Sequence, residues 1–138
     1  MRKTPCTIIN VMVLGWFFLD MIGISIQGKP LVEQAYKDDG LFFLIYLGVF
    51  IVYLVNPKYG VYLLIGWLLM WFVSQFFSHW VYTIMDAGDE KIDYFSGTIK
   101  LIESTNRYIP DLYHIVLHVL LLAGLYCTIR YQVQSKTT

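Results

Sequence analysis

Charge is scarce in this chain: Lys, Arg, Asp and Glu together make up 14% of its 138 residues, where an average soluble domain carries roughly a quarter. With 57% apolar residues, that scarcity excludes an ordinary soluble domain. Ten basic residues balance ten acidic ones, so no net basic field exists to attract nucleic acid, and no nucleic-acid partner is expected. Two cysteines, Cys6 and Cys127, cannot build the disulfide framework that staples small secreted domains. There is no internal repeat, no low-complexity tract and no G-x-x-x-G pair to mark a dimerisation stripe. The basic start followed by an apolar stretch resembles a secretory signal. However, the run is too long, Asp20 interrupts it and no small-x-small site follows, so the segment is expected to be retained.

What the chain has instead is long apolar runs. A helix needs about 20 residues to cross a bilayer core of roughly 30 Å, and four segments qualify: Pro5 to Gln27, Gly40 to Asn56, Tyr59 to Met85, and Pro110 to Tyr131. The second is short and borrows flanking residues from Asp38 onward. Pro5 and Pro110 open their helices, where a missing N–H costs nothing. Asn56-Pro57-Lys58 reads as a tight turn that makes the second and third spans an antiparallel hairpin. The loop after the first span, with Leu31 to Tyr36, extends that helix by about a turn on this reading. The loop from Asp86 to Ile109 carries Ile92, Phe95, Ile99 and Ile102 at helical spacing, which predicts an amphipathic helix on the membrane surface. The fold class expected is therefore all-α: a single domain over residues 1–138 with four transmembrane helices and one surface helix.

Four spans put both termini on one side. Arg2, Lys3, Lys58, Arg130 and Lys136 lie there without an acidic residue among them, while five basic residues on the other side are mixed with nine acidic ones. Equal basic counts leave the positive-inside rule undecided in its strict form. The basic residues of the terminal side sit closest to the helix ends, which places both termini in the cytoplasm of an inner or plasma membrane protein. Both cysteines then fall near the cytoplasmic face, could meet there, and read as thiols.

Ionisable residues inside a membrane are the most informative ones, because each costs roughly 2.5 to 3.5 kcal/mol at a helix centre on insertion scales. The first span carries Asp20; the third carries Gln75, His79 and Asp86 on one face; the fourth carries Asp111, His114 and His118 on one face. Counting the rise puts Asp20 about 10 Å, His79 about 9 Å and His118 about 12 Å inside the ends remote from the termini. The inner halves read as apolar. His-x-x-x-His sets two imidazoles on one side of a helix, and His79 could supply a third nitrogen. With Asp20 as fourth ligand or orienting carboxylate, His79, His114 and His118 make a tetrahedral zinc set. A water on that metal would have a lowered pKa, with Asp20, Asp86 or Asp111 as catalytic base. This describes a metal-dependent hydrolase of a lipid or lipid-linked substrate.

The order Ser74 or Ser78, His79, Asp86 or Asp93, then His114 and His118 resembles that of the seven-helix ceramidase and adiponectin-receptor superfamily of metal hydrolases. That resemblance covers the second half of a chain with four spans, and implies metal-assisted hydrolysis. Other readings stand beside it. His79 with His114 or His118 could ligate one haem from opposite faces, making a redox module. A non-catalytic subunit or assembly factor could pack against a larger membrane complex through the second span and the surface helix. The plainest reading is a set of polar side chains that hydrogen-bond across helices.

Overall fold

A computed structural model describes residues 3–136. The chain is mostly helical, and four helices are long and apolar enough to cross a membrane: α1 (Lys3–Ile22), α2 (Tyr36–Val55), α3 (Pro57–Ile84) and the final helix. A six-residue helix, α4 (Asp89–Tyr94), precedes that final helix, α5 (Leu112–Lys136). The long helices form a square bundle in which α1 packs on α2 and α5, and α3 packs on the same two. Its core is Val13, Leu64, Leu68 and Leu121, with Trp71, Tyr46 and Tyr53 wholly or nearly buried around them.

The tight turn at Asn56-Pro57 is present, with Pro57 as the first residue of α3. Close approach there depends on Gly60, where a Cβ would lie 2.3 Å from the Tyr53 Cα. No side-chain rotation relieves a clash with backbone, so only glycine fits.

The first loop departs from expectation. Helix α1 stops at Ile22 because Gly23 takes a positive φ of 70°, and no helical extension follows. The antiparallel strands β1 (Ile24–Ile26) and β2 (Lys29–Val32) form a hairpin instead. Its two connecting residues, Gln27 and Gly28, both have positive φ, as a two-residue turn matched to strand twist requires. Pro30 lies in β2, and a proline at that point opposes helix. Helix α2 then starts at Tyr36 and is a full 20 residues long. Asp38 and Asp39 fall in its first turn, where the helix dipole favours acids.

The expected surface helix is also shorter than its periodicity suggested: only Asp89–Tyr94 is helical, and residues 95–111 are irregular. Hydroxyls compete for its backbone. Ser96 Oγ donates to the Asp93 carbonyl and Thr98 Oγ1 to that of Phe95, both at 2.8 Å, which ends the helix. The segment then docks by its backbone, Ile99 N–H to the Pro30 carbonyl at 3.0 Å and Leu112 N–H to the Ile99 carbonyl at 2.9 Å.

The half of the bundle near the termini is not wholly apolar. Asn10 is fully buried, its Nδ2 donating to the Cys6 carbonyl and its Oδ1 accepting from Tyr46 Oη, each at 2.8 Å. Beside it Cys6 and Cys127 do meet, Sγ to Sγ at 2.9 Å, both reduced.

Candidate functional site

The distal end of the bundle, remote from the termini, is where α1 ends, α2 begins, α3 ends and α5 begins. Asp111 stands one residue before α5 and is buried. Its Oδ1 accepts the backbone N–H of His114 at 3.0 Å, in the manner of a helix cap, and the His114 Nδ1–H at 2.7 Å. One carboxylate thus starts the helix and orients the imidazole. With Nδ1 engaged, Nε2 is the nitrogen left for a substrate, a proton or a metal.

His79 lies in a π-helical turn, Phe76–Trp80, within α3. One extra residue in that turn rotates the following helix and re-aims its side chains, a device frequent at functional sites. His79 Nδ1 is 2.5 Å from Tyr108 Oη, and its ring faces that of His114 at a centroid distance of 4.0 Å and 33°. His118 Nδ1–H donates to the His114 carbonyl. His118 Nε2 is buried without a hydrogen bond of ordinary geometry, although the Gln75 backbone approaches it.

The three histidines therefore gather as the helix faces predicted, each with Nδ1 held by a different group. They do not form a ready metal centre: among the described residues no three His, Cys, Asp or Glu side chains stand so as to hold one ion. The His79 and His114 rings pack directly against each other, tilted by 33° at a centroid distance of 4.0 Å. Asp20 is two residues from the end of α1, so it lies about 3 Å inside that end, shallower than the spacing implied. It faces Asp39 and Asp38 of α2. Asp86 is apart from the cluster, exposed and paired with Arg107 Nε at 3.1 Å.

Two cavities open on this cluster, and Asp20, Asp39 and His114 line both. The larger, of about 280 Å3, lies between all four long helices and adds Phe17, Phe42, Trp71, Ser74, Gln75, Ser78 and Tyr113. The smaller, of about 130 Å3, lies beneath the loops and is lined also by Tyr94, Phe95, Thr98 and Asp111. Tyr108 roofs the histidines; burial, then the negative charge of Asp111, pushes its phenol above the usual tyrosine range. Lys91 Nζ stands 4.8 Å from the Tyr82 ring centre and 5.8 Å from that of Tyr108, and burial lowers its pKa.

Sequence reasoning did not single out Tyr108 or Asp39. The pair Asp38-Asp39 just ahead of an apolar run is a legible first-turn signal. Nothing local marks Tyr108, which meets His79 from 29 residues further along the chain. No known protein family, curated protein or solved structure matches the chain, so the likeness to metal hydrolases rests on residue order, and of that order Asp86 does not reach the site.

Proposed function

We propose that this chain is an integral membrane protein, its termini cytoplasmic, that hydrolyses an ester in a lipid or lipid-linked substrate with His114 as base. Membrane insertion is supported by the four long helices and by an exterior of exposed Ile8, Met12, Leu44, Ile51, Leu63 and Leu122. The observation that carries the chemistry is the pair of buried Asp111 and half-buried His114, whose imidazole lines a cavity that also holds the hydroxyls of Ser74 and Ser78. Asp111 fixes the tautomer with the proton on Nδ1, which leaves Nε2 to accept one from water or from Ser74 or Ser78. The paired carboxylate then stabilises the imidazolium until its proton passes to the leaving alcohol; where a serine attacks, His114 next activates a water that frees the acyl group from that serine.

A second reading keeps a metal. Imidazoles that bind metal through Nε2 characteristically give Nδ1 to a carboxylate, carbonyl or hydroxyl, and His114, His118 and His79 do so respectively. Loading would require the His79 and His114 rings to unstack. The deciding experiment uses protein purified in mild detergent, assayed against fluorogenic lipid esters and analysed for metals. Turnover falling about 10²- to 10⁴-fold in His114→Ala, with helical content kept, supports the proposal, and unchanged turnover overturns it. Near-stoichiometric zinc lost in a His114→Ala, His118→Ala variant selects the metal reading.

A further inference from the structure

The larger cavity has an unusual wall. Four aromatic rings, Phe17, Phe42, Trp71 and Tyr113, share it with two carboxyl groups, Asp20 and Asp39, and among the described residues no lysine or arginine lines it. Asp20 is only 7% exposed. Among the described residues no N–H or O–H donor reaches its carboxylate by an ordinary hydrogen bond; the side chain it meets is Asp39, another acid. A buried carboxylate facing a second one, here the exposed Asp39, is costly unless a positive charge or a shared proton joins them. Aromatic faces carry negative electrostatic potential and accommodate cations that are large and weakly hydrated. An inorganic ion such as sodium gains little from such walls, whereas an alkylammonium group matches both the rings and the acids.

We infer that the cavity between the four long helices binds an organic cation, an alkylammonium group of a ligand or substrate, with Asp20 and Asp39 as counter-charges and the rings as its cage. As a statement about substrate this rests on the reading of the cavity as a reaction site; as a statement about binding it stands by itself. The head of the ligand lies among the acids, against His114, and its remaining chain runs out between helices.

Tetramethylammonium is the probe, titrated into detergent-purified protein with sodium chloride at equal ionic strength as the control. Trp71 forms part of the wall, so tryptophan fluorescence reports occupancy. The expected result is a saturable response to tetramethylammonium alone, weakened at least about tenfold in Asp20→Asn and also weakened in Phe42→Leu, which keeps the volume apolar but removes a ring. Asp86→Asn, remote from the cavity, leaves binding unchanged. No saturable response in folded protein, an equal response to sodium, or undiminished binding in both Asp20→Asn and Phe42→Leu overturns the inference, and leaves a proton shared between the acids as their means of coexistence. Binding retained in Asp111→Asn, whose turnover is lost, upholds the inference separately from the chemistry. Ester turnover without any tetramethylammonium binding overturns the inference alone.

Discussion

His114 depends on Asp111 twice, through its ring and through its backbone N–H. Replacing Asp111 by Ala is therefore expected to destabilise the protein by about 1 kcal/mol through the lost cap and to lower turnover far more than that suggests, since the imidazole loses its tautomer. Asp111→Asn retains a side-chain acceptor for the N–H, so thermal unfolding in detergent should separate the two variants while their activities fall together. Tyr108 gives a pH signature. Its phenol is raised above the ordinary value of about 10, so the folded state favours the neutral form. That contribution is complete below the ordinary value and is lost as pH rises through the raised one. Tyr108→Phe should cost about 1 kcal/mol near neutrality through the missing bond to His79, and the gap to the parent should close in strongly alkaline buffer. A gap constant with pH would refute the assignment. The histidine cluster was legible because spacings of three and four residues on a helix need no tertiary knowledge. Tyr108 was not, because irregular loops carry no period.

At the scale of elements, the π-turn at Phe76–Trp80 sets which way His79 faces. Deleting Phe77 should restore regular α-helix, keep the circular dichroism of a helical protein and abolish turnover; full activity would show that the turn is incidental. Gly60 makes the opposite kind of prediction. Gly60→Ala drives a methyl into the backbone of Tyr53, which should cost about 1–3 kcal/mol or more, read as a lowered unfolding midpoint with the cation site unaltered at low temperature. Helix existence followed from the apolar runs alone, and the turn between α2 and α3 from Asn56-Pro57. The hairpin did not, because Leu31 to Tyr36 suits either structure and only Gln27-Gly28 and Pro30 betray it. The surface segment misled for a related reason: Ile92, Phe95 and Ile99 recur at helical spacing, yet Ser96 and Thr98 offer their hydroxyls to the backbone they follow.

For the whole molecule, the two ends of the bundle differ in how they are tied. At the end bearing the termini, Cys6 and Cys127 join the first helix to the last. Mild oxidation should link them within one chain, remove two titratable thiols and raise the unfolding midpoint. A chain-entropy argument for a loop of this length gives about 5 kcal/mol. Dimers on a non-reducing gel would contradict the geometry.

The distal end is tied by backbone instead. Ala35 N–H bonds the Asp20 carbonyl, Ile99 N–H the Pro30 carbonyl and Leu112 N–H the Ile99 carbonyl, so the hairpin, the residue-95–111 segment and the start of α5 are linked in series. Lifting a cover linked this way would break several hydrogen bonds at once. On the proposed reading, traffic to the cavity is therefore expected sideways: a molecule would arrive from the plane of the bilayer between the helices, and its solubility in lipid would count for more than its concentration in water.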